Sequence, residues 1–492
     1  MSESQSSYRQ IFKATSLFGG VQVVIIIIGI IKTKFIAVWL GTAGVGIMGL
    51  LTAPLSLITA LTGLGLSVSA VREISEAAGS GDQLHIAKTV KILRRWVWFT
   101  GILGMGLTII LAPMLSIWSF GNSKYTFAFL ILSITMLLTN ITVGQKVVLQ
   151  GMRRLKHMAK ANVIGALLGL LTSLPLYYLY DVDGIVPSLL ITTLSSLIVS
   201  RYYSRKITLQ KVHISYKDSF KGGATMVKLG IVLAFSGLIG SLIRYIITAY
   251  ISKKGGVEQV GLYQAGFTLI TGYIGIVFTA MATDYFPRLA GTKDNKECIK
   301  LINQQIEMAL LIIAPICMAL MIALPVVIRL LYSSDFLGTI PMVEWVLISV
   351  ILKTIAWSLG FLFLAKADYS TSFKIDNITN VLFLGGYIVM YSIMGLQGIG
   401  IAELILYCFA MILAFYYANN KYDFVFHKNT TEIIFLTFTV FFCVFIVLKI
   451  MERNLFSYII SIVLLIFTSY LSLKSLDKRL DIKSVIYKYI KR

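Results

Sequence analysis

The sequence predicts an all-α membrane protein with fourteen transmembrane helices, arranged as two six-helix bundles around a central cavity and followed by two C-terminal helices. Two observations predict this class: the composition of the chain and an internal repeat. The 492 residues are 57% hydrophobic and only 13% charged, and the mean hydropathy is +0.83. Soluble domains contain about 25% charged residues, so this composition indicates a chain that crosses the membrane several times.

A stretch near the N-terminus is repeated in the middle of the chain. Residues 27–70 align without gaps with residues 239–282. Identical positions in this alignment include Gly44/Gly256, Gly49/Gly261 and the run Leu57–Thr59 with Leu269–Thr271. Internal repeats are typical of transporter folds, in which the substrate site lies at the interface of the repeats. The repeat therefore predicts two related halves around a shared cavity.

Fourteen apolar runs account for the predicted helices, since a spanning helix needs about 20 apolar residues. These runs are residues 12–40, 43–71, 92–119, 124–148, 159–181, 184–203, 222–252, 257–286, 299–332, 340–366, 371–395, 397–420, 430–450 and 455–475. They form an N-terminal six-helix lobe at 1–203, a cytoplasmic linker at 204–221 and a C-terminal six-helix lobe at 222–420. Residues 421–492 hold helices 13 and 14 and a basic cytoplasmic tail.

Basic residues are distributed unevenly between the two sides of the predicted membrane. With the N-terminus placed in the cytoplasm, most of the 44 lysines and arginines fall in cytoplasmic loops and ends. The predicted external loops hold Lys124, Lys253, Lys254, Lys449 and Arg453. The positive-inside rule therefore predicts that both termini are cytoplasmic. The same distribution explains the net charge of +22 without a nucleic-acid partner.

Metal and cofactor chemistry is not expected from this sequence. The four cysteines lie in or beside apolar helices without a CxxC pair, and the four histidines fall in polar connections. An intramembrane zinc or haem site would need such ligands within the spans. We therefore predict neither a metal site nor another cofactor.

Basic residues inside predicted spans are the main functional signal, because a cation at the bilayer centre costs about 2.5–3.5 kcal/mol on insertion scales. Lys32 and Arg244 occupy equivalent positions in the two copies of the repeat, and Lys353 lies in the middle of helix 10. Lys34 lies beside Lys32. Extension of both helix 1 lysines to the membrane face remains an open alternative. These four residues are the candidate substrate ligands.

A positively charged cavity selects an anion. Ammonium and guanidinium groups pair strongly with phosphate, and arginine does so in a bidentate manner. Helices 1 and 7 contain no acid, and the intramembrane acids lie nearer the ends of other spans. Of these, Glu307 and Asp376 are candidate sites for a coupling H⁺ or Na⁺, although structural ion pairs with nearby basic residues are the favoured interpretation.

Two segments resemble a known superfamily. They are KFIAVWLGTAGVGIMGLLTAPLSLITALTGLGLSVSAVREI, from Lys34 to Ile74, and the basic loop GMRRLKHMAKANVIGALLG, from Gly151 to Gly169. With the helix count, they resemble the multidrug/oligosaccharidyl-lipid/polysaccharide (MOP) exporter superfamily, and within it the polysaccharide and O-antigen flippases of the Wzx type.

The resemblance implies a function and a place of action. A flippase of this type moves an undecaprenyl-diphosphate-linked oligosaccharide from the cytoplasmic to the outer leaflet of the bacterial inner membrane by alternating access. The resemblance also implies ion-gradient coupling, other polysaccharide-assembly proteins as partners, and binding of the diphosphate by cations in the first helix of each half. Lys32 and Arg244 match that last description.

Three alternatives remain at this level. A lipid II flippase of the same superfamily fits the sequence as well. A multidrug exporter of the superfamily normally needs acids in its binding lobes, and helices 1 and 7 carry cations instead. A membrane polymerase or ligase is disfavoured because no large external loop is predicted. We therefore expect a transporter and not an enzyme.

Overall fold

The structure is a computed structural model that describes residues 3–292 and 294–480. Every secondary-structure element in this part of the chain is a helix, so the predicted all-α class is confirmed. Side chains are described from residue 21 onward, apart from 232, 233, 283 and 478–480. The end of the predicted basic tail, residues 481–492, lies outside the described residues.

Eleven helical segments of the described chain are long and apolar enough to cross a membrane. Three of them are Val21–Thr62, Leu155–Ser204 and Tyr369–Tyr422, with 42, 50 and 54 residues. At 1.5 Å per residue, each is about twice as long as a hydrocarbon core of about 30 Å requires. Each is interrupted, at Gly41, at the 3₁₀ turn Asp181–Gly184 and at Gly395 respectively. The chain is therefore a multi-pass membrane protein. The predicted number of fourteen transmembrane helices requires each of the three long segments to cross the membrane twice, and it stays a prediction.

The chain forms two compact units. Unit 1 comprises Met1–Gly261 and Leu331–Ser333, and unit 2 comprises Leu262–Leu330 and Ser334–Arg492. The predicted lobes had their boundary at 204–221, so helix 7 of the prediction lies in unit 1 and not with the C-terminal elements. The relation of the two lobes by a repeat, and the central cavity, stay predictions.

Unit 1 contains seven helices and the start of an eighth. They are α1 (Glu3–Thr62), α2 (Leu66–Ser80), α3 (Gln83–Phe120), α4 (Thr126–Gly151), α5 (Leu155–Tyr180), α6 (Ile185–Ser204), α7 (Tyr216–Gly255) and α8 (Val257–Thr268). Leu51 and Leu55, one turn apart on α1, pack in one buried cluster with Phe129 and Leu132 of α4. This spacing places apolar side chains on one helix face, which the helices bury against each other.

Two breaks divide the first 80 residues. Gly41 has φ 63° and ψ −164°, in the left-handed region that favours glycine. The predicted span at 43–71 is interrupted at residues 63–65, where Gly65 has φ 64°. A Cβ atom at Gly65 would lie 1.9 Å from the carbonyl oxygen of Gly230 on α7. Glycine is therefore required both for the turn into α2 and for the close approach of α7.

Unit 2 holds the remaining helices. They are most of α8, a π-helical turn at Leu269–Ile274, α9 (Gly275–Gly291), α10 (Asn295–Leu331), α11 (Ile340–Ala365), α12 (Tyr369–Tyr422), α13 (Lys428–Ile450) and α14 (Leu455–Leu480). Its core joins Ile302 and Ile306 of α10 to Ile351 and Ile355 of α11, all with no exposed surface. The guanidinium of Arg453 lies 2.7 Å from the carboxylate of Glu344 and ties the loop after α13 to α11.

Candidate functional site

The first two candidate ligands, Lys32 and Arg244, lie on neighbouring helices of unit 1. Helix α1 carries Lys32, helix α7 carries Arg244, and the two helices pack against each other. Glycine also allows a close approach just after α7, because a Cβ atom at Gly46 of α1 would lie 2.0 Å from the carbonyl oxygen of Val257, the first residue of α8. Arg244 thus belongs to a helix that packs against α1 and leads into this close contact.

Arg244 is exposed, although several of the residues that follow it on α7 are buried. Tyr245, the next residue, is 5% exposed, and its hydroxyl lies 3.4 Å from that of Ser119 on α3. Because successive helix residues are about 100° apart, burial of Tyr245 leaves Arg244 directed away from the unit 1 core. Among the described side chains, none forms a hydrogen bond or an ion pair with the Arg244 guanidinium.

Lys32 is half-buried on α1, and Ile36 and Leu40 of the same face enter the unit 1 core. No carboxylate of the described residues pairs with its ammonium group. An unpaired ammonium group inside a spanning helix is costly. That Lys32 binds an anion stays a prediction.

Lys34 differs from Lys32, although the two residues are only two positions apart. Its ammonium group donates a hydrogen bond of 2.5 Å to the carbonyl oxygen of Tyr332. Tyr332 is buried, and it is the middle residue of unit 1's short second segment, Leu331–Ser333. Lys34 therefore holds two distant parts of unit 1 together, and its role as a substrate ligand stays a prediction.

Lys353 lies in unit 2 with partners of its own. Its ammonium group lies 5.3 Å from the centre of the Tyr407 ring, within the range of a cation–π contact. Glu403, one turn earlier on α12, is close enough to attract it electrostatically. Sequence reasoning noted Glu403 as an intramembrane acid but could not connect it with a residue on α11. The role of Lys353 as a diphosphate ligand stays a prediction.

The two candidate coupling acids lie in different surroundings. Glu307 on α10 is buried, and the Thr430 hydroxyl donates to its carboxylate over 2.7 Å. Glu307 also lines a pocket of about 780 Å³ in unit 2, together with Arg288 and Lys300. Asp376 is exposed on α12. Both the structural interpretation and ion coupling at either acid stay predictions.

Unit 1 contains a pocket with several hydroxyl groups in its lining, which sequence reasoning missed. It has a volume of about 490 Å³ and is lined by side chains of α1, α4 and α6 that carry hydroxyl or amide groups: Thr52, Ser56, Thr59, Thr135, Thr139, Asn140 and Thr193. On α1, Thr52, Ser56 and Thr59 donate to the carbonyl oxygens four residues earlier over 2.7 to 2.9 Å. Their oxygen lone pairs remain available as acceptors. The spacing of these residues along α1 was the available signal.

Among the described residues, no group of three or more His, Cys, Asp or Glu side chains is placed to hold a metal ion. The candidate groups are thus cations and hydroxyls. They suit binding of a negatively charged, hydroxyl-rich molecule, because arginine and lysine pair with phosphate and hydroxyl groups hydrogen-bond to sugars.

The sequence matches a protein family and is similar to proteins named as transporters or flippases. The model of a family described as "Polysaccharide biosynthesis protein" matches residues 35–341. A putative O-antigen transporter of Shigella flexneri is 23% identical over 317 residues, which cover 63% of this chain and 74% of that protein. The lipid III flippase of Escherichia coli K12 is 19% identical over 349 residues, which cover 69% and 82% of the two chains.

Solved structures show the same fold. The inward-facing form of a multidrug resistance transporter of the MATE family, within the MOP superfamily, superposes with a TM-score of 0.67 at 16% identity. That match covers 82% of this chain and 94% of the other. A lipid II flippase in an inward closed conformation also gives a TM-score of 0.67, at 11% identity, over 95% of this chain and 99% of that one. At such identities the likeness establishes the fold alone.

Proposed function

The chain belongs to the polysaccharide biosynthesis protein family, and we propose that it is a flippase for lipid-linked oligosaccharide in the bacterial inner membrane. Its substrate is an undecaprenyl-diphosphate-linked repeat unit of O-antigen or another surface polysaccharide, moved from the cytoplasmic to the outer leaflet. The names of two relatives, an O-antigen transporter and a lipid III flippase, support this class of substrate. The observation that carries the proposal is the pair of intramembrane cations in unit 1, Lys32 and Arg244.

The diphosphate is the part of the substrate that these cations recognise. Lys32 and Arg244 have no carboxylate partner among the described side chains. The predicted spans that contain them, 12–40 and 222–252, hold no acid. A diphosphate carries the negative charge that such groups require, and arginine offers it two parallel N–H donors. In a site shielded from water this pairing gains strength, because charges are less screened there.

The glycan is recognised by hydroxyl groups. The pocket of about 490 Å³ in unit 1 presents several threonine and serine oxygens on α1, α4 and α6. The oxygens of such groups accept hydrogen bonds from sugar hydroxyls without requiring one fixed sugar. The polyprenyl tail stays in the lipid during transport, as its apolar character demands.

Alternating access needs positions at which helices bend. Gly41 interrupts α1, the 63–65 break separates α1 from α2, and a π-helical turn at Leu269–Ile274 precedes α9. In the repeat alignment, Gly63 corresponds to Gly275, the first residue after the π-helical turn. Such irregular turns are frequent at functional hinges. We infer that both copies of the repeat bend near this position, with H⁺ or Na⁺ as coupling ion through Glu307 or Asp376.

A second candidate function is lipid II transport. The fold is as similar to that of a lipid II flippase as to that of a multidrug transporter, with a TM-score of 0.67 in both cases. Both lipid substrates carry a diphosphate, so the cation pair serves either of them. A cationic drug is the poorer substrate, because Lys32 and Arg244 would repel it.

Transport by the Arg244→Ala variant tests the proposal. Purified protein is reconstituted into vesicles with diphosphate-linked oligosaccharide, and glycan on the opposite face is measured with a lectin. We expect a loss of transport of about 10-fold to 100-fold, because a hydrogen bond to a charged group contributes about 1.5–3 kcal/mol. Arg244→Lys should lose less, since it keeps the charge but not the forked geometry.

Lys253→Ala is the matched control, because it removes one positive charge from the exposed end of the same helix. It should transport at the wild-type rate. Wild-type transport by Arg244→Ala, with the variant folded as judged by size-exclusion chromatography and melting temperature, would contradict the proposed role of the cation. Equal export of a cationic dye by the wild-type protein would favour the drug-exporter alternative.

A further inference from the structure

A small basic pocket lies in unit 1, apart from the candidate site. It has a volume of about 230 Å³ and opens between the first part of α3 and the end of α6, with α4 between them. Arg94 comes from α3, and Arg201 and Arg205 come from the end of α6 and the residue after it. Residues of α4, including Gly144 and Gln145, complete the lining.

The floor of this pocket depends on Gly144. A Cβ atom there would lie 2.9 Å from the side chain of Val97 on α3. Glycine thus lets α3 and α4 approach closely enough to bring Arg94 beside α4. Gln145, the next residue, accepts a hydrogen bond from the buried hydroxyl of Ser204 on α6 through its side-chain oxygen. Its amide nitrogen remains a donor in the pocket lining.

The three arginines carry no counter-charge within the described chain. No carboxylate forms an ion pair with Arg94, Arg201 or Arg205, and their guanidinium groups donate no hydrogen bond to a described residue. They are near enough for Arg201 and Arg205 to repel Arg94 electrostatically. Like charges gathered in one pocket are unfavourable unless an anion joins them.

The neighbouring residue on α3, Arg95, differs from Arg94 because its guanidinium has hydrogen-bond partners within the protein. Its guanidinium donates to the carbonyl oxygens of Ile214 and Ser215 over 2.8 and 2.7 Å and to the Ser219 hydroxyl over 2.6 Å. It also lies 4.1 Å from the centre of the Tyr216 ring. Arg95 therefore fastens the segment before α7 to α3. Arg94 forms no comparable contacts with described residues, so the N–H groups of its guanidinium are available to a ligand.

The surroundings of the pocket indicate a lipid. Trp98 and Ile102 follow Arg94 at spacings of four residues on α3, and both are exposed and apolar. On α6, exposed Ile198 and Leu194 continue the face of Arg201 toward the middle of the helix. Because residues four apart share a helix face, an apolar strip extends from the pocket along each helix. A phosphate at the arginines and acyl chains along these strips match a phospholipid.

We propose that this pocket binds the phosphate of an anionic phospholipid in the membrane leaflet that is predicted to be cytoplasmic. Three guanidinium groups and the Gln145 amide hold the head group, and the acyl chains lie against α3 and α6. Basic pockets between transmembrane helices on this side of a membrane are suited to anionic head groups. The volume of about 230 Å³ suits one head group and is too small for an oligosaccharide.

Lipid binding by purified full-length protein tests this assignment. The protein is incubated with phosphatidylglycerol or with phosphatidylcholine of the same chain length, and bound lipid is counted by native mass spectrometry. The variant carries Arg94→Gln, Arg201→Gln and Arg205→Gln together. We expect its affinity for phosphatidylglycerol to fall on the order of 100-fold, with phosphatidylcholine binding unchanged.

The matched control carries Arg154→Gln, Lys156→Gln and Lys160→Gln, which are exposed basic residues near the start of α5 and outside the pocket. It loses the same charge on the same predicted side and should bind phosphatidylglycerol within twofold of wild type. Retained binding in the pocket variant, or an equal loss in the control, overturns the proposal. If the triple variant does not fold, the single variants decide, each with an expected loss of about fivefold.

Inorganic phosphate distinguishes a membrane lipid from a soluble ligand. We expect millimolar phosphate to leave phosphatidylglycerol bound, because the acyl chains add contacts that phosphate lacks. Displacement of the lipid by phosphate at that concentration would assign the pocket to a soluble phosphate compound and overturn the lipid assignment.

Discussion

The candidate cations inside the predicted spans have different surroundings in the two compact units. In unit 1, Lys32 and Arg244 have no carboxylate partner among the described side chains. In unit 2, Lys353 lies beside the Tyr407 ring and within electrostatic reach of Glu403. Within the described part of the chain, these two cations of unit 1 thus lack the charge compensation that Lys353 has in unit 2. The position of a cation within a span therefore does not reveal its role, whereas the groups around it do.

The comparison has an energetic consequence. A buried charge that keeps an internal partner is stabilised in the resting protein, so its removal should affect folding more than transport. A charge without a partner contributes little to folding, and its removal should affect transport more than folding. These two expectations can be separated by measuring transport and stability in the same variants.

The largest effect is expected from the joint variant Lys32→Gln and Arg244→Gln. If both residues bind the diphosphate, transport should fall by more than about 100-fold, because each contact to a charged group is worth about 1.5–3 kcal/mol. The melting temperature should stay the same or rise. The measurement is lectin-detected transport in vesicles, with thermal unfolding of the same preparation.

Lys253→Gln with Lys254→Gln is the control for that pair, since both residues are exposed at the end of α7. Transport in this control should match wild type. A joint variant at Lys32 and Arg244 that unfolds more easily yet still transports would reverse the comparison between the units.

A smaller effect, on stability, is expected from Lys353→Met. Glu403 is buried and its Oε2 atom has no hydrogen-bond partner among the described residues. Loss of Lys353 would leave this acid without its nearby positive charge, at a cost of about 1–3 kcal/mol. Thermal unfolding should show the loss, and transport by the folded fraction should persist.

The double variant Lys353→Met and Glu403→Gln sharpens this test, because it removes both charges. It should recover most of the stability lost in Lys353→Met, as expected for two interacting groups. Transport reduced as strongly as by Arg244→Ala, at unchanged stability, would instead place Lys353 among the diphosphate ligands.

The sequence predicted the elements of this fold well, because apolar runs of about 20 residues dictate spanning helices wherever they occur. The sequence also aligns Lys32 with Arg244, because residues 27–70 match residues 239–282 without gaps. The break at 63–65 was missed, since the run around it is apolar on both sides and only its glycines mark the turn.

Contacts between distant residues could not be predicted in the same way. Lys353 and Glu403 lie on different helices, and only the packing of α11 against α12 brings them together. The pocket of Arg94, Arg201 and Arg205 likewise combines α3 with the end of α6. From the sequence alone, these arginines could be assigned only to the cytoplasmic side of the membrane. The hydroxyl-lined pocket draws on three helices, so its residues appear in the sequence as ordinary polar positions.

The smallest effect concerns Asp368, a charge of unit 2 that lies outside the spans and is also compensated. Burial acts to raise the pKa of Asp368, but hydrogen bonds from Lys421, Thr371 and Tyr422 outweigh it and lower the pKa to about 2. The Lys421 ammonium lies 2.8 Å from the carboxylate. This depressed pKa stabilises the fold above the unfolded-state pKa of about 3.9, and the stabilisation is lost as the pH falls toward 2.

Asp368→Asn should therefore lower the free energy of unfolding at pH 7 by only about 1 kcal/mol, because Lys421 is half-exposed and water screens the pair. The difference from wild type should shrink as the pH falls from about 4 toward 2, where the wild-type carboxylate becomes protonated. Thermal unfolding of both proteins across this range measures it, and transport at pH 7 should be unchanged. A difference that grows with acidity would show that Asp368 does not owe its stabilising effect to its negative charge, and the contrast between compensated and uncompensated charges would then apply only inside the membrane.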